Sequence, residues 1–94
     1  MKSIIQDDWE SCYFCRRRAT EKHHIFGGFS SKNRRISEKY GLTVHLCHNC
    51  HNEPPNGVHF NRDRDRYLKA TAQKIFSEEH SPELFYRLFL ENYL

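Results

Sequence analysis

Apolar and polar residues alternate along Leu42-Thr43-Val44-His45-Leu46, the two-residue period of a half-buried strand, with Leu42, Val44 and Leu46 predicted on the inner face. Upstream, Lys22-His23-His24-Ile25-Phe26 reads as a second short strand, stopped by the turn-forming pair Gly27-Gly28. The two predict a β-hairpin. The chain between them, residues 29–40, is polar and basic and reads as either a mobile loop or a short helix. Further on, Pro54-Pro55-Asn56-Gly57 forbids a continuous helix, and the rhythm then changes. Leu68, Ala72, Ile75 and Phe76 fall at i, i+4, i+7 and i+8, predicting a helix over about residues 62–79 with Asn61 at its N-cap. Ser81-Pro82-Glu83 is a second start signal, for a helix over about 82–92 with Leu84, Phe85, Leu88 and Phe89 as its stripe. Both stripes read as core. In the leader, residues 1–11, Ile4, Ile5 and Trp9 are expected to pack back onto it.

Composition sharpens this picture. The 94 residues make one α+β domain, 1–94, and with hydrophobic residues at 37% it is too small to bury a large core. Such a chain needs a staple. Cys12/Cys15 and Cys47/Cys50 are two Cys-x-x-Cys pairs, the spacing at which four thiolates close a tetrahedral zinc site. Met1-Lys2-Ser3-Ile4-Ile5 runs straight into Gln6-Asp7-Asp8 without the apolar core of a secretory signal, so a cytoplasmic chain with reduced cysteines is expected, and zinc rather than disulfides. No stretch approaches the roughly 20 apolar residues of a membrane span. The net charge is +3, yet residues 16–39 alone carry eight Lys or Arg against Glu21 and Glu38. A polyanion would select such a segment, and so would simple solubility.

The histidines carry the candidate chemistry. His23 and His24 are adjacent, and successive strand residues face opposite ways, so both enter one site only at a strand end or distortion, which Gly27-Gly28 permits. One imidazole would then bind a metal and the other accept a proton. His51 follows Cys50 directly and is held near the second knuckle, a candidate ligand for a second metal. His59 reads either as a third ligand or as a cap on the fold. His45 is expected to face away from the core, His48 to be exposed, and His80 to favour a helix C-terminus without a catalytic role.

Cys-x-x-Cys, then His-His-Ile, then a strand ending Leu-Cys-x-x-Cys-His-Asn resembles the zinc-containing HNH endonucleases, especially the small ones encoded by bacteriophages, over residues 12 to about 62. The resemblance implies a ββα-metal fold in which a hairpin and a helix grip one divalent cation beside the scissile phosphate. By position it implies His23 and His51 as ligands of that cation, His24 as general base, and Cys12, Cys15, Cys47 and Cys50 as structural zinc ligands. One departure stands out. The family's middle asparagine, about five residues before the second Cys-x-x-Cys, is missing from Gly41-Leu42-Thr43, so the brace for His24 falls to a backbone carbonyl, Asn33 or Asn52.

The implied activity is hydrolysis of DNA phosphodiester bonds to 5′-phosphate products, by nicking or double-strand cleavage. A donor set of His23 and His51, helped by His59, and lacking a carboxylate should favour Mn²⁺, Co²⁺, Ni²⁺ or Zn²⁺ over Mg²⁺. Arg16, Arg17, Arg18, Lys32, Arg34 and Arg35 would hold the sugar-phosphate backbone without reading bases. By analogy with small phage nucleases of this family, the DNA-packaging machinery, such as terminase, is an expected partner. The alternative is a zinc-stapled nucleic-acid-binding module without catalysis, sharing the knot and the basic surface.

Overall fold

A computed structural model describes all residues, 1–94, as an α+β arrangement of a two-stranded sheet and four helices. The hairpin forms where the alternation predicts it. β1 (Glu21–His24) and β2 (Thr43–Leu46) run antiparallel, pairing Glu21 with Leu46, Lys22 with His45, His23 with Val44 and His24 with Thr43. β1 is therefore shifted slightly toward the N-terminus of its predicted span, although Ile25 N–H still donates to the Leu42 carbonyl. Leu42, Val44 and Leu46 are fully buried.

Thr43 is fully buried as well, which simple alternation does not anticipate. The leader explains it. Ser3 Oγ donates to the Thr43 carbonyl, Ile4 N–H to the Gly41 carbonyl, and Gln6 Oε1 accepts from His45 N–H, so residues 3–6 line the free edge of β2. Ile4 and Ile5 pack against the core as expected, whereas Trp9 stays 62% exposed beside His45.

The segment between the strands is a helix, α1 (Ser31–Tyr40), rather than a loop. Ser30 caps it by accepting from Asn33 N–H, and Gly41 ends it in the left-handed region, φ 71°, with its backbone against the Lys2 carbonyl where a side chain would not fit. α2 (His48–Asn52) is a single short helix within the second knuckle, capped by Cys47. α3 (Arg62–Glu79) begins as predicted, with the Asn61 side chain accepting from Arg64 N–H. α4 (Pro82–Phe89) is capped by Ser81 and stops three residues short of its predicted end, because Leu90 turns left-handed, φ 56°.

α3 and α4 close over the turn end of the hairpin. Leu68, Ala72 and Phe76 of α3 and Phe85 and Phe89 of α4 are buried, while Ile75 is only half-buried. Phe26 inserts between them, its ring 4.4 Å from Phe89 and 5.3 Å from Phe85. Packing of this kind offsets the lack of a large core, since each aromatic ring removes much apolar area from water. Gln73 is buried but satisfied, donating to Asn92 Oδ1 and accepting from Tyr93 N–H, which ties the C-terminal residues to α3. His80 forms the C-cap of α3 and lies on Phe76, 4.5 Å between rings, a packing role.

Candidate metal centre

Two separate clusters of side chains that could hold a metal ion converge beside the hairpin. Cys12, Cys15, Cys47 and Cys50 form one, and His23, His51 and His59 the other, with the ligand atoms in each cluster lying within 4.8 Å of one another.

The cysteine cluster is built by two turns. In the first, Arg16 N–H donates to the Cys12 carbonyl and Arg16 takes the left-handed conformation, φ 68°, which swings Cys15 back toward Cys12. In the second, Cys47 caps α2 and accepts from Cys50 N–H at 3.4 Å. Cys15 and Cys47 Sγ stand 3.6 Å apart. Four thiolates around a tetrahedral zinc at 2.3 Å would sit about 3.8 Å apart, so the tetrad fits a structural zinc site. The thiols are unequal without an ion. Burial pushes Cys50 up to about 12, with the neighbouring thiols adding to it, whereas at Cys12 burial is outweighed by backbone N–H groups of Cys15, Cys47 and Phe14, which bring it down to about 7. Arg64 Nη1 points at Cys50 Sγ at 3.8 Å, a cation where thiolate charge accumulates.

The histidine cluster depends on that knot. His23 reaches it from β1, His51 from α2, and His59 from a turn that folds back on α2 through Val58 N–H to the Cys50 carbonyl and His59 N–H to the His51 carbonyl. Gly57 makes that turn possible, since a Cβ there would lie 2.6 Å from the backbone N and O of Glu53. His51 Nε2 and His59 Nε2 are 3.0 Å apart, and the His23 ring centre is 5.1 Å from each of theirs. Nitrogens on one ion at 2.0–2.1 Å are about 3.3 Å apart at the tetrahedral angle, so one cation can meet all three.

His23 supplies the test of that fit. Its Nε2 is buried and unpartnered, which is costly unless something takes the lone pair. Burial, then the nearby His51, His59 and His24 rings, push its imidazole down to about 3, so it stays neutral and able to ligate at any ordinary pH. His59 is likewise lowered, by burial and by His51. The residues present therefore suit a borderline cation held by nitrogen.

Glu21 is the residue that sequence reasoning missed here. Its Oε1 accepts from His51 Nδ1 at 2.7 Å and from Asn52 Nδ2 at 3.0 Å, and its Oε2 lies 2.8 Å from His48 Nδ1. A carboxylate on Nδ1 fixes the tautomer that leaves Nε2 free to ligate. These contacts, His48 first, hold the Glu21 carboxyl below its ordinary range. The available signal was the strand period: Glu21 and His23 are two apart and share a face. His48 is exposed as expected, though engaged by Glu21 and by Glu53 at 2.9 Å.

His24 is not part of the triad. Its backbone pairs regularly with Thr43, so its side chain takes the face opposite His23, with Lys22. There its Nε2 is 3.7 Å from Glu38 Oε1, an ion-pair distance beyond hydrogen-bonding range, while Lys22 Nζ holds both Glu38 oxygens at 2.8 and 2.6 Å. Neither asparagine braces it: Asn52 Nδ2 donates to Glu21, and the Asn33 side chain makes no hydrogen bond to it. His45 lies on that same outer face, half-buried beside Trp9.

Arg16, Arg17 and Arg18 are exposed on the first knuckle, and Lys32, Arg34 and Arg35 on α1. Arg34 also braces the hairpin turn, donating to the Gly28 carbonyl at 2.8 Å. No helix is long and apolar enough to cross a membrane. Compared with known proteins, the chain matches no family model, no curated protein and no solved structure.

Proposed function

We propose that the protein is a metal-dependent endonuclease of the HNH type, cleaving DNA phosphodiester bonds on a ββα-metal scaffold. The observation that carries the reading is the triad of His23, His51 and His59, gathered from hairpin, helix and turn by a four-cysteine knot, with the His23 lone pair buried and unpartnered. A zinc ribbon with no chemistry has no need of it. The hairpin followed directly by α2, with a ligand on each, supports the ββα-metal assignment.

A divalent cation bound there supplies charge neutralisation on the phosphate and on the departing 3′ oxygen. The chain supplies the rest. His23, His51 and His59 hold the cation, and Glu21 orients His51. The role of His24, adjacent to a ligand in sequence and 27% exposed at its side chain, in taking the proton from the attacking water rests on the resemblance, since its side chain lies on the face opposite the triad with Glu38 at 3.7 Å. The exposed arginines and lysines of the first knuckle and α1 hold the sugar-phosphate backbone, and DNA-packaging proteins remain the partner that the resemblance suggests.

A zinc-stapled nucleic-acid-binding module is the second reading, favoured by the position of His24 on the face opposite the triad. Plasmid nicking separates the two. Zinc-loaded protein given Mn²⁺ or Ni²⁺ should nick supercoiled DNA, and His24→Ala should abolish nicking while retaining zinc and DNA binding. Wild-type protein that binds DNA but never nicks it under any of these cations would establish the module.

A further inference from the structure

A cleft of about 310 Å³ opens beside the histidine triad, between the hairpin turn and the start of α3, lined among others by His23, His59, Gly28, Phe60, Arg62 and Lys69. Exposed aromatic rings lie at and next to it. Phe60 is 60% exposed, and Phe29, next to Gly28, projects fully into solvent at 107% of its reference area. Most large apolar residues of this chain that neighbour the site, such as Ile25 and Val58, are buried instead.

The charges around the cleft differ in availability. Lys69 is engaged by Asp65 at 2.9 Å, while Arg62 forms no ion pair. Arg62 is also the first residue of α3, where the backbone N–H groups and helix dipole of an 18-residue helix favour an anion, against the opposing charges of Asp63 and Asp65 in the same turn. His23 and His59 line the same cleft, as does Asp65, so an anion at Arg62 lies beside two of the candidate metal ligands.

We propose that this cleft receives a single-stranded or locally unpaired polynucleotide, with Arg62 on a phosphate and Phe60 stacked on the adjoining base. This rests on the nucleic-acid reading of the site above and adds the substrate class. Bases in a duplex have their faces covered by neighbours and offer nothing to an exposed phenyl ring. An unstacked base does, whatever its identity, and a cation beside the ring tracks the backbone. The pairing of a free arginine with an exposed ring fits that ligand better than it fits duplex backbone alone, which needs only charge.

Fluorescence anisotropy of labelled oligo-dT, oligo-rU and a DNA hairpin duplex of equal length tests this, using the full zinc-loaded chain without added divalent cation, so that no strand is cut. Wild type should bind single strands more tightly than the duplex, and the dT and rU arms show whether deoxyribose or ribose is preferred. Phe60→Ala should weaken single-strand binding about 5- to 150-fold, as expected for loss of one stacked base, and leave duplex binding unchanged. Phe60→Tyr should restore it. Arg62→Gln should weaken binding and lower the single-strand salt slope by about 0.7. Because Phe60 is exposed, zinc content and circular dichroism should match wild type in its variants. Equal binding of single strand by wild type and Phe60→Ala, or no preference for single strand, overturns the proposal. Phe60-dependent binding without metal-dependent nicking would instead sink the nuclease reading alone.

Discussion

Replacing Glu21 with glutamine should weaken the second metal site while leaving the zinc knot intact. The carboxylate is 29% exposed at its side chain and engages His51 Nδ1 at 2.7 Å, so it lies outside the ligand sphere yet governs one ligand. Its contact with Nδ1 holds the His51 ring with Nε2 toward His59. Loss of such a partner typically costs 10- to 100-fold in metal affinity, or about 1.4–2.7 kcal/mol. Glu21→Gln keeps an acceptor oxygen without the charge, and charged hydrogen bonds are roughly twice as strong as neutral ones, so about 10-fold is expected. Glu21→Ala removes the acceptor and should approach 100-fold. Titration calorimetry of Ni²⁺ into zinc-loaded protein reads this directly, with His51→Ala as the null site and His48→Ala as a control for the other branch of the Glu21 contacts. Wild-type affinity in both Glu21 variants would refute the orienting role. Failure of wild type to bind a second ion would refute the site itself.

Two further expectations follow from the geometry. Gly57→Ala places a Cβ 2.6 Å from Glu53 backbone atoms, so it should destabilise the fold by about 1–3 kcal/mol and reduce Ni²⁺ affinity through the displaced His59 turn, with zinc retained; melting curves and calorimetry that match wild type would contradict this. His23 is held neutral with its imidazole pushed down to about 3, below the ordinary 6.5 of the unfolded ring, so the unfolded chain binds the extra proton. The stability this gives is fully present above pH 6.5 and is lost as pH falls toward 3. Urea unfolding of protein carrying only the structural zinc should lose about 2 kcal/mol more between pH 7 and 5 in wild type than in His23→Gln, and parallel curves would rule the buried neutral ring out.

Local signals were legible along the chain because their causes are local. Asn61 and Ser81 cap helices three residues away, the Leu42-Val44-Leu46 alternation makes one strand face, and two Cys-x-x-Cys turns each bring two thiols together within four residues. The candidate ligand His51 was legible for a related reason, its fixed offset from the second knuckle, whereas His23 was singled out from the histidine pair only by the family resemblance. Where the reading left alternatives, the missing fact was a long-range contact. His59 could be ligand or cap until the 57–60 turn was seen to hydrogen-bond back onto α2. The brace of His24 was expected from a backbone carbonyl, Asn33 or Asn52, whereas the charged group that faces it at 3.7 Å is Glu38, on a helix that the polar segment 29–40 did not distinguish from a loop.

Sequence by itself thus determined the β2 strand face, the two C-terminal helices, the pairing of the cysteines and which histidines were available. Tertiary structure alone decided how they divide. Regular pairing through His24 sends His23 and Glu21 to one face of β1 and His24 and Lys22 to the other, so the doubled histidine is split between the candidate histidine triad, in which His23 is the buried member, and a half-exposed carboxylate pair. The physical reason is that strand pleat assigns faces, but only closure of the cysteine knot brings His51 and His59 against the one that holds His23. Glu21 and Glu38, which in the sequence only offset nearby positive charge, become partners of histidines through contacts that span many residues of chain.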